Sequence, residues 1–373
     1  MKQALYVVYH QPSKKALLTD LLVPLALNLQ SKEGVRHVHL ERHWKHGPHV
    51  RLVLDTDHKD LIIEAQSLVR DHLQAAPSAQ PLDADRYLKE AEKLGILEVE
   101  PGPYLPLWPD NTVHIGEAPD RSALLGNAQT QTLRDRYMHS LLKPVHATLQ
   151  QLKAQPGMKI PLVVQILTLN AALYPHGLFS GHLSYRSHLE EHLFHAGETV
   201  REGFAQRHAP HRDWFIEQVR DVQNGEISEV LQLWKDHFEQ MWEEALPLAR
   251  AGFLHDESSL FIRAVAEQVN PEAVSRWEFT DERAYSPFHT RLRQFNFLPE
   301  RANVEEFSIY RTLTNFLYSS LTLLDVSPTE RYFSNFVIGE SIEALFNRRW
   351  QDHFDAWWAA HHSPLEMAPQ EVK

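Results

Sequence analysis

Arg51 stands in the run His49-Val50-Arg51-Leu52-Val53-Leu54-Asp55, whose alternation puts it on one side with His49 and Asp55, opposite Val50, Leu52 and Leu54. A strand-borne arginine presents a fixed fork of N–H donors that suits a carboxylate or a carbonyl oxygen. The preceding run places Val38, Leu40 and Trp44 opposite His37, His39, Glu41 and His43. Arg51 therefore either meets a polar ligand or pairs with Glu41 across a hairpin. His49 either orients a substrate or bonds its own turn. So many imidazoles raise the question of zinc, but no His-Glu-x-x-His run occurs, and neither a metal nor another cofactor is expected.

A second set is His182-Leu183-Ser184-Tyr185-Arg186-Ser187-His188. If Ser184 caps a helix, Tyr185 and His188 stand three apart on its first turn and could pass protons to and from a peptide carbonyl. The alternative is a cap, a packed tyrosine and a surface histidine. A third set, Glu340, Glu343 and Asn347, shares a helical side opposite Ile338, Ile342, Leu345 and Phe346. Glu343 could act as a base only if burial raised its pKa towards neutrality.

These groups need elements to hold them. The two alternating runs flank Lys45-His46-Gly47-Pro48, a composition suited to chain reversal, and read as a β-hairpin. Residues 4–10 read as a buried strand. Residues 14–30 carry leucines at helical spacing, with Pro24 expected to kink or break the helix. Leu61, Ile62, Ala65, Leu68, Val69 and Leu73 mark another helix. The order β-α-β-β-α suggests a split βαβ, ferredoxin-like layer. Beyond residue 120 helical spacing dominates, with helices expected over 130–154, 160–173, 184–206, 211–222, 227–248, 257–268, 305–324 and 330–359. The expected fold class is α+β. Residues 1–115 would form the sheet layer, and residues 116–373 a helical part completing the active-site groove.

Composition narrows the function. The 49 acidic against 37 basic residues, net −12, argue against generic nucleic-acid binding, which needs a basic surface. The absence of Cys excludes disulfides, thiolate metal sites and a Cys nucleophile, and it fits a cytoplasmic protein. The start of the chain passes straight into a strand-like run without a signal-peptide pattern. No apolar stretch reaches the roughly 18 residues of a membrane span. A P-loop, a nucleophile elbow and a dinucleotide fingerprint are all missing. Composition says nothing of the oligomeric state.

Residues Arg42 to Leu52 resemble the signature near the start of the C-terminal, elimination domain of lantibiotic dehydratases, a family that includes thiopeptide-type pyridine synthases. Ser184-Tyr185-Arg186-Ser187-His188 is similar to a run in the thiopeptide-type members, and Asn347-Arg348 to the pair closing the family's late helix. The resemblance implies a precursor peptide with a leader as substrate, and a separate glutamylating subunit as a possible partner. It points to Arg51, Tyr185, His188 and Glu343 as catalytic residues. His49, Arg42, His182, Ser187, Asn347 and Arg348 would contact the substrate, and residues 1–115 would bind the leader.

Three positions depart from the eliminating pattern. Val53 stands where a second Arg is usual, Leu107 replaces the Glu of a Tyr-x-Pro-Glu run, and Glu343 replaces a His base. The resemblance then favours a pyridine-synthase-like [4+2] cyclisation with leader loss. Glutamate elimination by a split subunit is the alternative. A catalytically inactive peptide-docking subunit is the third reading.

Overall fold

The computed structural model describes residues 2–254, 258–277, 280, 282–296 and 304–361. Strands β1 (Lys2–Val8), β2 (Val35–His43), β3 (His49–Thr56) and β4 (Thr112–Glu117) pair antiparallel in the order β2-β3-β1-β4. Helical segments between β1 and β2, and between β3 and β4, make this the split βαβ layer expected.

Register follows from the alternation. Leu40, Leu52, Leu5 and Ile115 form one cross-strand row, and the three leucines are fully buried. Val38, Val50 and Leu54 are buried as well. Each such side chain stabilises the fold by about 1.5–3 kcal/mol. A one-residue slip would turn this whole set outward. Neither outer edge of the sheet is wholly bare. Val38 N–H donates to His139 Nδ1 at 3.0 Å on β2, and Gln66 donates to Val113 O at 3.2 Å on β4.

Pro24 neither breaks nor visibly ends its helix. A π-helical turn, Leu18–Leu22, precedes it, and the α-helix Val23–Gln30 follows directly. A wider turn bonds from i to i+5, which accommodates a residue that has no N–H.

The chain divides into two compact units. Unit 1 joins residues 1–159, 228–283 and 303–327, and it holds the sheet with helices such as Lys59–Ala75, Ala128–Ser140 and Glu229–Arg250. Residue 115 falls inside it. Unit 2 joins residues 160–227, 284–302 and 328–373, and its described part is helical. There the helix Gly177–Ala196 packs on Pro328–Leu345. It also crosses the helix Lys159–Ala172 closely, since a Cβ on Gly181 would lie 2.2 Å from Ala171 O.

Two helices escape the sequence reading, Ala84–Glu98 and Pro287–Asn296. The expected helix over 330–359 is two, because Asn347 takes a left-handed φ of 46° between Pro328–Leu345 and Trp350–His361. Asn tolerates that region better than most residues. Arg348 N–H returns to Glu343 O at 3.0 Å, closing the helix end in the manner of a Schellman motif.

Candidate functional site

On the sheet's polar side one row crosses all four strands. Glu41, Arg51, Tyr6 and His114 are direct cross-strand neighbours. His49 Nδ1 bonds Gly47 O at 2.8 Å, so that nitrogen carries the proton. Its Nε2 is thereby left to accept from Arg51 Nε at 3.2 Å. His49 aims the arginine fork.

Glu41, also buried, is gripped mainly by Arg134, with Nη2 2.9 Å from Oε2. Arg121 lies at 3.6 Å. Arg51 Nη1 stands 3.9 Å from Glu41 Oε1, too far for a hydrogen bond. The expected Arg51–Glu41 pair is thus only a loose one. Burial alone would raise the Glu41 carboxyl, but Arg134, Arg121, His39 and Arg51 hold it well below the ordinary range. Burial pushes His39 down to about 4 and His49 to about 3, and it holds His43 well below its usual value, with Arg51 adding to the effect at His43 and His49. These imidazoles are neutral at pH 7. Three arginines therefore face one carboxylate, leaving positive charge in excess. Among the described residues no group of three or more His, Cys, Asp or Glu is placed to hold a metal ion.

Unit 2 assembles a different cluster. Arg186 is buried and reaches three carboxylates. Its Nη2 lies 2.6 Å from Glu343 Oε1 and 3.1 Å from Glu340 Oε1, and its Nη1 lies 3.6 Å from Glu190. Arg201 binds the same Glu190 at 2.7 Å. His182, fully buried, bonds Phe179 O through Nδ1 and presents Nε2 3.8 Å from Glu343 Oε1 without a hydrogen bond. Burial lowers the His182 pKa and keeps the ring neutral at pH 7. Burial would raise Glu343, but His182 and Arg186 outweigh it and hold the carboxyl below its ordinary value. The condition that would make Glu343 a base, a pKa raised towards neutrality, is not met. A cavity of about 290 Å³ opens beside this cluster, lined by Arg186, Glu190, Arg201, Glu340, Glu343 and Arg349.

Other expected site residues fall in varied places. Ser184 is no cap, because the helix begins seven residues earlier, at Gly177. That shift turns Tyr185 inward, where it is 0% exposed, donates to Leu167 O at 2.9 Å and accepts from Asn170 at 2.7 Å. A tyrosine so committed to the core does not meet a substrate, which corrects the expectation for it. His188 is half-buried. Ser187 Oγ lies 2.9 Å from His289 Nε2, on one of the helices missed from the sequence. Asn347 is exposed at the helix end, and Arg348 lies 5.3 Å from the Phe179 ring centroid. Arg42 points away from Arg51, by the strand alternation, and its Nη1 holds Asp325 at 2.5 Å and Thr322 O at 3.1 Å.

The second and third sequence sets therefore converge in unit 2, while Arg51, His49 and Arg42 stay with the sheet in unit 1. Sequence reasoning missed Arg121, Arg134, Arg201 and Arg349. Only Arg186 and Glu190, four apart on a helix, carried a local signal.

Comparison with known proteins supports the resemblance read from the sequence. The family model described as lantibiotic biosynthesis dehydratase, C-terminal, matches residues 4–317. No curated protein matches the chain by sequence. Among solved structures, a pyridine synthase, TbtD, from thiomuracin biosynthesis aligns with a TM-score of 0.69 at 22% identity, over 93% of this chain and 99% of that one. TsrL aligns with a TM-score of 0.63 at 15% identity, over 93% and 95%. At these identities the two structures establish the fold.

Proposed function

The chain belongs to the lantibiotic biosynthesis dehydratase C-terminal family, a peptide-modifying group of ribosomal-peptide maturation, and from that premise we propose that it cyclises its substrate rather than eliminating glutamate from it. The substrate would be a leader-bearing peptide with two dehydroalanine-type residues. One dehydroalanine, with its amide in the imidic-acid form, supplies a four-atom C=C–N=C(OH) unit, and the alkene of the other supplies two atoms in a formal [4+2] joining. The ring then becomes aromatic as the former amide oxygen leaves as water and the leader leaves as its amide. The name carried by the pyridine synthase aligned above accords with this reading.

One observation carries the proposal. Elimination removes an α-proton and expels a carboxylate, so it needs a base active near neutrality. The late helix offers Glu343, whose carboxylate is committed to Arg186 and held below its ordinary pKa. A carboxylate so stabilised is a weak base and a good anchor. Cyclisation instead asks the protein chiefly to orient two ends of one chain. Arg51, aimed by His49, would hold a substrate carbonyl, and half-buried His188 remains a candidate for proton transfer. The sheet layer suits the leader, which can add as a strand beside β4. Hydrogen exchange tests that point, with slowed exchange in residues 112–117 expected once leader is added.

A second reading has its own observation. Arg51, Arg121 and Arg134 surround one carboxylate, and the positive excess suits a departing glutamate. Mass spectrometry of a leader-bearing peptide with two dehydroalanines, with and without the protein, decides between them. Loss of water and leader is expected, and an unaltered peptide under turnover conditions counts against cyclisation.

A further inference from the structure

Within the cavity of unit 2 almost every charge is already matched. Arg186 is occupied by Glu343, Glu340 and Glu190, and Arg201 by Glu190. Two groups are left over. Glu343 is 3% exposed, and its Oε2 has no hydrogen-bond partner. Arg349, with its side chain 65% exposed, rests Nη1 at 3.6 Å from that same oxygen and 3.8 Å from Glu340 Oε2. Both gaps exceed a hydrogen bond. A buried carboxylate oxygen without a donor is costly, and such atoms in native proteins call for a partner.

The chemistry of the missing partner can be read from the lining. Arg186, Arg201 and Arg349 balance Glu190, Glu340 and Glu343, so an ion of either sign would leave a net charge in a partly closed space. A neutral group with an N–H next to a C=O would not. Glu343 Oε2 is shielded from solvent with Arg349 lying beside it. With that exposed side chain swung aside, the N–H satisfies Oε2 and the carbonyl accepts from Arg349. Phe336 and Trp350 add apolar walls. The volume, about 290 Å³, equals the share of roughly ten water molecules in the liquid and admits a fragment the size of one or two residues.

We propose that this cavity is a subsite for a peptide amide of the substrate, clamped between Glu343 and Arg349. The proposal rests on a peptide being the substrate, and it is independent of which bond change follows. Glu343 and Arg349 act here as binding groups; no proton is transferred.

The test is fluorine NMR of the full chain carrying 5-fluorotryptophan, with the Trp350 signal assigned from Trp350→Phe. The probes are N-acetylalanine N-methylamide, methylammonium and acetate. A saturable shift of the Trp350 signal with the amide alone is expected. Arg349→Ala, at an exposed position that keeps the fold, should weaken it by about tenfold, as should Glu343→Gln if that variant folds, in line with loss of one hydrogen bond to a charged group. An equal response to methylammonium makes the site cationic in preference, and a response to acetate makes it anionic; either overturns the proposal. So does the absence of any response, or wild-type affinity in Arg349→Ala. Because the probe undergoes no turnover, failure here is separable from failure to cyclise a peptide.

Discussion

The two charged clusters use the same residue types to opposite ends. On the sheet, three arginines surround Glu41, and Arg51 is the one held least firmly by it. In unit 2, arginines and carboxylates are matched, and one carboxylate oxygen beside a cavity is left without a donor. The first arrangement can stabilise negative charge; the second can hold a neutral polar group. Both keep their histidines neutral by burial, so in neither does an imidazolium set the charge at pH 7.

The largest expected effect sharpens the difference in pairing. Arg186→Leu strands Glu343, a nearly fully buried carboxylate, and should cost about 3–5 kcal/mol, the usual penalty for half a buried pair. Arg134→Leu should cost less, because Arg121 and Arg51 remain beside Glu41. Urea midpoints check the order, and a reversed ranking breaks the comparison. Next comes Arg51→Lys, which replaces a fork by a point charge. Product formation should fall by roughly tenfold or more while stability moves by less than about 1 kcal/mol, since Glu41 keeps its firm partner. Unchanged turnover removes Arg51 from the site.

Acid should weaken the fold in two stages. The folded pKa values of His39, of His49 and of His237, a buried ring on the helix Glu229–Arg250, are about 4, 3 and 3 and lie below the unfolded 6.5. As pH falls below 6.5 the unfolded chain takes up protons first, so stability declines from there until the folded rings titrate. Glu41 and Glu343, depressed in the fold, contribute stability that is present above about 4.5 and is lost as pH falls through their folded values. The urea midpoint should drop between pH 7 and pH 5, and His49→Gln should flatten that drop. A flat wild-type profile contradicts the neutral burial of these rings. The smallest effect concerns Asn347. Asn347 holds the left-handed helix end, so Asn347→Ala should cost about 1 kcal/mol and leave turnover intact.

The sheet was legible because period-two alternation in residues 35–56 leaves no other way to bury Val38, Leu40, Val50, Leu52 and Leu54. The long helices were legible from their spacing. What stayed hidden was set by tertiary contact. Nothing local marks Arg121 or Arg134 as companions of Glu41, which is 93 residues from Arg134 in sequence. Ser184 read as a cap because serine favours that position, yet the helix starts two turns earlier, at Gly177, and by Ser184 it has already passed Gly181, where only glycine fits against Ala171. The same shift carried Tyr185 into the core. Short β4 follows a proline-rich loop and shows only six residues of weak alternation.

On the function proposed here, Glu343 of the late helix is an anchor and not the base that the resemblance to the eliminating pattern would place there. A synthetic peptide carrying one glutamylated serine behind its leader tests it directly, with released glutamate measured against time for the wild-type chain at pH 7. No release above the uncatalysed rate is expected. Rapid release that disappears in Glu343→Gln would contradict it and make Glu343 the base.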